Sequence, residues 1–185
     1  MSNEFSVEDR KELLGIARKT IEHYLKNGNK PLFNDVPEKF KAKRGVFVTL
    51  HKKGNLRGCI GYPLPVSPLF NAVVDNAVSS AFEDPRFPPL EIDELKEIDI
   101  EISVLSIPEK VERPEDVRVG VDGIIISKHG YRGLLLPQVP VEQEWDLDQY
   151  ISYGCMKAGL SDDEWKKGVD IEVFQAEVFG ELEIE

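Results

Sequence analysis

The sequence predicts an α+β fold in which a mostly antiparallel sheet is flanked by helices. Residues 7–27 repeat apolar side chains at helical spacing, residues 46–61 have the pattern of a β-hairpin, and residues 98–105 alternate apolar and polar side chains. A chain of 185 residues suits a single domain, residues 1–185, and is long enough to bury a hydrophobic core.

The first predicted element is a long amphipathic helix from Val7 to Asn27. Ser6 is placed to cap its start, and Asp9 three residues later completes an acidic variant of the capping box. Gly28 can take the left-handed conformation that ends a helix. Residues 30–44 contain two prolines and have no clear period, which predicts a loop.

The next segment predicts a β-hairpin. Val46–Leu50 are rich in β-formers, and a polar stretch of five residues, His51–Asn55, separates them from Leu56–Gly61. We therefore expect a hairpin with a five-residue loop in which Leu50 pairs with Leu56. This register places Thr49 opposite Arg57 and Phe47 opposite Cys59, with a buried face made of Val46, Val48, Leu50, Leu56 and Ile60.

Prolines shape the region that follows. Three of them in residues 62–68 predict that the strand has ended, and Ser67 followed by proline predicts a capped helix over residues 69–82. This helix carries many small side chains, which allow another backbone to approach closely, and Gly58 is the expected neighbour. Residues 84–89 contain three more prolines and predict a rigid loop.

The second half of the chain predicts further strands and two helices, the second of them a short one that begins at Ser161 and ends at Gly168. Residues 98–105 should form a strand with one buried face. The apolar runs at residues 123–127 and 134–136 predict central strands covered on both faces. Asp146 is placed to cap a helix, and residues 169–185 predict one final strand.

The charge of the chain limits its partners. A net charge of −11 argues against a general nucleic-acid binder, because phosphate contacts need a surplus of Lys and Arg. Residues 26–57 nevertheless hold nine basic and two acidic residues, a local charge of +7 that leaves −18 on the remainder. We favour a solvated basic face that balances an acidic body. The alternative is an anion site beside Leu56–Gly61.

The expected localisation is cytoplasmic. No apolar run approaches the roughly 18 residues that span a bilayer, and the first residues lack the basic and apolar regions of a secretory signal. Two cysteines, Cys59 and Cys155, are too few for a disulfide framework, which indicates a reducing compartment. A single bridge between them is the less favoured alternative. Cys155 shares the apolar face of its helix and is expected to be a small core residue.

The segment Leu56–Gly61, with the sequence LRGCIG, is the candidate functional site. In a regular strand Arg57, Cys59 and Gly61 project to one face. A guanidinium close to a thiol stabilises the thiolate, which is the nucleophilic form, and a glycine lets a ligand approach the main chain. The alternative is a packed thiol beside a surface arginine. Both interpretations remain open from spacing alone.

The sequence does not indicate which residue would act as the base for a nucleophilic cysteine. Such a cysteine usually needs a base, but spacing favours neither His51, expected in the hairpin loop, nor His129. The cysteines and histidines have no zinc-type spacing, and the glycines match no phosphate-binding loop. We therefore expect no metal and no cofactor.

Two further segments carry candidate binding residues. Prolines hold Asp84 and Arg86 in a rigid loop, as a binding loop requires, although the pair can equally serve to anchor that loop. Gln138 follows an apolar strand, where its amide either orients a ligand or satisfies backbone groups of the loop.

These segments resemble those of the AMMECR family. The resemblance extends over residues 6–180 and rests on four motifs: Leu56–Gly61, Asp84–Phe87, Leu135–Val139 and Cys155–Leu160. It implies an α+β domain of two unequal lobes around a cleft, the smaller lobe being built from the middle of the chain. The family has no settled activity. In bacteria and archaea it is associated with Memo-like and radical S-adenosylmethionine proteins, which implies a shared pathway.

Two hypotheses follow. The first is an enzyme or ligand-binding protein that acts on a small anionic or nucleotide-like substrate, with Cys59 as nucleophile or ligand and Arg57 binding the anion. The other expected binding residues are Gly58, Gly61, Asp84, Arg86 and Gln138. The second hypothesis is a non-catalytic module that binds a protein partner, such as a Memo-like or radical S-adenosylmethionine protein, or an RNA, which the net charge does not favour.

Overall fold

The computed structural model describes residues 4–183, which form two compact units. The first unit contains the chain up to Leu105 and again from Glu177 onward, and the second contains Ser106–Ala176. Each unit has its own four-stranded antiparallel sheet packed with helices, so the protein has an α+β fold, as the sequence predicts.

The first sheet has the strand order β2-β1-β3-β8. The helices and strands of this part are α1 (Val7–Asn27), β1 (Lys43–Lys52), β2 (Asn55–Pro68), α2 (Leu69–Phe82), β3 (Ile98–Leu105) and β8 (Ala176–Gly180). The bounds predicted for α1, α2 and β3 are confirmed, and so are the Ser6–Asp9 capping box and the left-handed Gly28.

The turn between β1 and β2 is shorter than predicted. Lys52 pairs with Asn55, so the turn consists of Lys53 and Gly54, whose φ angles are 52° and 78°. Two positive φ angles are typical of a type I′ turn, which matches the twist of the two strands. The predicted five-residue loop is therefore wrong.

The register in the body of this hairpin differs from the prediction by two residues: Leu50 pairs with Gly58, Thr49 with Cys59 and Phe47 with Gly61. The register shifts between Leu50 and His51, which makes Arg57 the extra residue of a β-bulge. The bulge interrupts the predicted alternation of faces. Leu56, expected to be buried, is 41% exposed.

β2 continues through the prolines that were expected to end it. It lies at the edge of its sheet, where a missing amide hydrogen does not break the ladder. A second register shift, between Arg44 and Val46, leaves Pro63 and Pro65 in an irregular stretch of the strand. Proline content therefore predicts the edge position of this segment but not its end.

The start of α2 is capped differently from the prediction. Ser67 pairs with Arg44 in the sheet, and Pro68 precedes the helix without a side-chain hydrogen bond. The amide N–H of Leu69 instead donates to the carbonyl of Ala42 at 2.8 Å. Because Ser67 belongs to β2, the predicted serine cap is wrong.

The core of the first unit lies between its sheet and the two helices. Its fully buried side chains include Leu13, Ile21, Val48, Leu50, Ala77, Ile100 and Ile102. Because side chains alternate along a strand, the other face of the sheet carries mainly polar residues. We call it the polar face; it comprises Phe47, Thr49, His51, Cys59, Gly61, Asp99, Glu101 and Ser103.

The second unit has the strand order β4-β7-β5-β6. Its helices and strands are β4 (Glu109–Val111), β5 (Gly123–Lys128), β6 (Tyr131–Leu135), α3 (Val139–Glu142), α4 (Leu147–Lys157) and β7 (Asp170–Phe174). Cys155 is fully buried in the core of this unit, as predicted. β5 is a covered central strand, but β6 is an edge strand, so the prediction that both are central is wrong for β6.

The C-terminal segment forms two strands instead of the single one predicted. β7 joins the second sheet and β8 joins the first, with Gln175 between them. The apolar positions change at this break from Val169, Ile171 and Val173 to Phe174, Ala176 and Val178. The prediction of a single strand did not take this change of phase into account. Residues 184–185 of the predicted strand lie outside the described residues.

Candidate functional site

The loop after α2 holds the backbone of Cys59. The carboxylate of Asp84 accepts a hydrogen bond from the Cys59 N–H at 2.9 Å, and the guanidinium of Arg86 donates to the Cys59 carbonyl at 3.2 Å. Both backbone groups of Cys59 are therefore engaged at the outer edge of β2. Cys59 and Thr49 consequently form a non-hydrogen-bonded pair in the sheet.

Asp84 and Arg86 are themselves a tightly bonded pair. The Asp84 side chain is 2% exposed and accepts from Arg86 Nε at 2.9 Å and from Arg86 Nη2 at 2.7 Å. The Arg86 hydrogen bonds, supported by the backbone N–H groups of Cys59 and Arg86, hold the pKa of Asp84 well below its usual range. The Arg86 side chain is 54% exposed, so part of its guanidinium faces outward.

The thiol of Cys59 lies on the polar face and is partly exposed. The hydroxyl of Thr49, directly opposite on β1, donates a hydrogen bond to Cys59 Sγ at 3.3 Å. Side chains approach more closely in a non-hydrogen-bonded pair than in a hydrogen-bonded one, which explains this contact. The thiol thus has a defined donor although its backbone is held by a different part of the chain.

Helix α2 fixes the same strand from the core side. A Cβ placed on Gly58 would lie 2.1 Å from the carbonyl oxygen of Ser80, so only glycine permits this packing and the predicted approach is confirmed. The Ser80 hydroxyl accepts from the N–H of Ile60 at 2.9 Å and donates to the carbonyl of Val48 at 2.6 Å. The hydroxyl is therefore inserted between β1 and β2 one residue from Cys59.

Gly61 permits a different close approach. A Cβ placed on it would lie 2.4 Å from Cδ1 of Phe47, which is its partner on β1. In the structure the Phe47 ring and the carbonyl oxygen of Val46 occupy the space beside Gly61. A role for Gly61 in ligand binding stays a prediction.

Arg57 is buried, with 8% of its surface exposed. Its guanidinium binds Glu94 at 3.0 and 2.8 Å and approaches the carbonyl of Pro89 at 3.5 Å. The Arg57 hydrogen bonds lower the pKa of Glu94 to about 2. Among the residues described, Arg57 Nη1 is buried without a hydrogen-bond acceptor. The charge of Arg57 is thus matched by Glu94, and the hydrogen bonds of Arg57 do not go to Cys59.

One of the two candidate histidines, His51, lies in a different place from the one expected. His51 is a residue of β1, on the polar face two positions from Thr49, and it pairs with Asp99 of β3. The prediction that it occupies the hairpin loop is therefore wrong. His129 lies in the turn between β5 and β6 of the second unit, with a φ angle of 49°.

Gln138 belongs to the second unit, where it immediately precedes α3. Its carbonyl accepts a hydrogen bond from the N–H of Glu142 at 3.0 Å, and its side chain does not cap the helix. A role for Gln138 in ligand binding stays a prediction.

The basic segment predicted from residues 26–57 is largely neutralised by ion pairs. Seven of its nine cations lie within 4.0 Å of a carboxylate: Lys30, Lys39, Lys41, Arg44, Lys52, Lys53 and Arg57. Most of the local charge of this segment is therefore balanced by nearby acids. This arrangement favours the interpretation of a balanced charged surface over an anion site.

Within residues 4–183, no three His, Cys, Asp or Glu side chains are grouped so as to hold a metal ion. None of the helices in this part of the chain combines the length and the apolar character that crossing a bilayer requires.

Comparison with known proteins identifies the family. The AMMECR1 family model matches residues 14–179, which is most of the chain. The chain belongs to the AMMECR1 family. It is 49% identical over 184 residues to a protein of Methanothermobacter thermautotrophicus, a match that covers 95% of this chain and 96% of that protein. It is 48% identical over 176 residues to protein MJ0810 of Methanocaldococcus jannaschii, covering 90% and 87% of the two chains.

A solved structure supports the same assignment. The crystal structure of the uncharacterized protein PH0010 from Pyrococcus horikoshii is similar to this chain with a TM-score of 0.76 and 43% sequence identity. The match covers 92% of this chain and 90% of that one. The AMMECR1 fold is therefore shared by proteins whose names state no activity.

Three residues of this AMMECR1 site were not identified from the sequence. Thr49, Ser80 and Glu94 contact Cys59, its strand and Arg57, respectively. The contact of Thr49 with Cys59 depends on the hairpin register. The contact of Glu94 with Arg57 depends on the path of the loop after α2. Only Ser80 had a sequence signal, because it lies among the small residues of α2.

Proposed function

We propose that this AMMECR1 protein is an enzyme in which Cys59 releases its thiol proton to solvent and its sulfur forms a bond to an electrophilic carbon of a small anionic substrate. The bond from that carbon to the leaving group breaks, and the leaving group departs with the electron pair. The observation that carries the proposal is the clamp on Cys59: Asp84 and Arg86 bind its N–H and carbonyl, while Sγ is left on the polar face. A reacting group whose backbone is fixed in this way loses little freedom when it meets a substrate.

The proposal assigns the anion contact to Arg86. Its guanidinium is bonded to the Cys59 carbonyl and to Asp84, and the Arg86 side chain as a whole is 54% exposed. A carboxylate or phosphate on the substrate can therefore form a charge-assisted hydrogen bond beside the thiol. Each of the two arginines is paired with a carboxylate, and Arg57 is the weaker candidate because it is buried.

The binding-module hypothesis has less support. It depends largely on the basic segment as a surface for RNA or an acidic protein. Lys41 and Arg44 of that segment already pair with Glu38 and Glu4. Surface pairs of this kind contribute little stability, but they reduce the positive potential that a nucleic acid would meet.

The test compares an anionic and a neutral electrophile. Iodoacetate and iodoacetamide would alkylate Cys59 in the Cys155→Ser protein and in a free peptide of residues 54–63. We expect the ratio of the iodoacetate rate to the iodoacetamide rate to be about tenfold higher in the protein, because Arg86 attracts the carboxylate.

The matched variant is Asp84→Asn with Arg86→Gln. It removes both charges of the ion pair at once, so no buried charge is left unpaired. It should return the rate ratio to that of the peptide. A protein with the same ratio as the peptide, or a double variant with an unchanged ratio, would refute the proposal for an anionic substrate.

A further inference from the structure

We infer that Thr49 is the positioning residue for Cys59, because its hydroxyl donates to the sulfur and favours the thiolate. The inference deepens the proposed function, on which it rests in assuming that the thiol is the reacting group. Thr49 was not among the residues expected to form the site.

The fold gives Thr49 little freedom to move. It lies on β1, which is paired on both sides, with Cys59 of β2 and with Glu101 of β3 as direct partners. Its side chain is β-branched and nearly buried, so it has few accessible rotamers. The hydroxyl is therefore held at 3.3 Å from Cys59 Sγ by the sheet itself.

The hydrogen bond favours one protonation state of the sulfur. A neutral thiol is a weak acceptor, whereas a thiolate carries a full charge that strengthens any hydrogen bond it accepts. Donation from Thr49 therefore stabilises the charged form more than the neutral one. When the thiol ionises, its proton goes to solvent and the Thr49 hydroxyl keeps its own.

Other charged groups of the first unit also face this position. Arg86, next to the Cys59 carbonyl, favours the thiolate, and its partner Asp84 opposes this effect. Glu101 opposite Thr49 opposes it as well, as does Asp99, and His51, the partner of Asp99 on β1, lies on the same face. Among residues 4–183, Thr49 is the residue that makes a hydrogen bond to the sulfur itself.

The experiment measures the alkylation of Cys59 by iodoacetamide from pH 6 to pH 10 in the Cys155→Ser protein. Thr49→Val removes the hydroxyl at nearly constant volume, and Thr49→Ser keeps it. We expect Thr49→Val to react about tenfold more slowly at pH 7 and at nearly the parent rate at pH 10, where the thiol ionises without help. Thr49→Ser should stay within about twofold throughout.

Ser103→Ala is the matched control, because it removes another hydroxyl from the polar face and should leave the rates unchanged. A rate for Thr49→Val that is unchanged, or lowered equally at every pH, would overturn the inference. If Thr49→Val does not fold, Thr49→Ala provides the same comparison. If the Thr49 variants behave as expected but the anionic electrophile is not preferred, the proposed substrate fails and the role of Thr49 stands.

Discussion

At Gly58 the absence of a side chain determines how closely α2 packs against the strand that carries Cys59. The Ser80 carbonyl oxygen occupies the position that a Cβ would take, and this oxygen belongs to the helix backbone, which cannot rotate away. Even a methyl group would therefore push α2 and β2 apart.

We expect Gly58→Ala to destabilise the protein by about 3 kcal/mol, the upper end of the cost of overpacking. Urea unfolding followed by circular dichroism would measure the change. Gly15→Ala is the control: Gly15 lies inside α1, a Cβ there meets nothing within 4 Å, and alanine should stabilise the helix by about 1 kcal/mol. Equal stability of the two variants would contradict the packing described for Gly58.

Glu94 links the stability of the first unit to pH. Its pKa is about 2 in the folded protein, below the ordinary value near 4.3, because Arg57 binds the carboxylate. A depressed pKa means that the ion pair contributes fully above pH ~4.3. The contribution is then lost as the pH falls towards 2, because the unfolded chain takes up the proton first.

We therefore expect Glu94→Gln to lose about 3 kcal/mol at neutral pH, since buried Arg57 would be left without its counter-charge. Between pH 5 and pH 2 its free energy of unfolding should fall less steeply than that of the parent protein. Glu97→Gln removes an exposed partner of Lys52 and Lys53, so its free energy of unfolding should stay close to that of the parent protein. Parallel pH profiles for Glu94→Gln and the parent would exclude this role for Glu94.

At the scale of the elements, the contact between α2 and the hairpin is partly made by a hydroxyl. Ser80 bridges the N–H of Ile60 and the carbonyl of Val48, which are partners on β2 and β1. The strand of Cys59 thus depends on the helix for one of its ladder hydrogen bonds.

Ser80→Ala should cost about 2 kcal/mol, because it leaves a buried N–H and a buried carbonyl unsatisfied. The amide of Ile60 should also exchange with solvent faster, which NMR hydrogen exchange would detect. Ser79→Ala, one residue earlier, removes an exposed hydroxyl that bonds to Glu83 and should change stability by less than about 0.5 kcal/mol. Unaltered exchange at Ile60 in Ser80→Ala would argue against the bridge.

Elements with local signals were predictable from the sequence. α1 carries its capping box and its terminal glycine within the helix sequence, and β3 carries a strict alternation, so their bounds follow from neighbouring residues alone. The hairpin register was not predictable in this way. It depends on a bulge at Arg57 and on a turn that uses Lys53 where asparagine is the usual choice.

The same distinction applies to the candidate site. The LRGCIG segment marks Cys59, and the proline-rich loop marks Asp84 and Arg86, because unusual residues lie close together in each. The sequence does not reveal that Asp84 and Arg86 bind the backbone of Cys59. Asp84 follows Cys59 by 25 positions in the chain and Arg86 follows it by 27. The positions of Thr49 and Glu94 likewise follow from tertiary pairing.

Across the whole molecule, the fold places the two cysteines in different surroundings. Cys155 is fully buried in the second unit, and burial raises the pKa of its thiol. Cys59 is partly exposed, clamped by Asp84 and Arg86 and contacted by Thr49. We therefore expect folding to make Cys59 more reactive than its local sequence alone would.

The most direct test compares the folded chain with its own segment. Alkylation by iodoacetamide at pH 7 would be measured for Cys59 in the Cys155→Ser protein and for the free peptide of residues 54–63. We predict a second-order rate constant about tenfold higher in the folded protein, because Thr49 is bonded to the sulfur there while Asp84 and Arg86 hold the backbone in place. A folded protein in which Cys59 reacts no faster than the peptide would contradict the account.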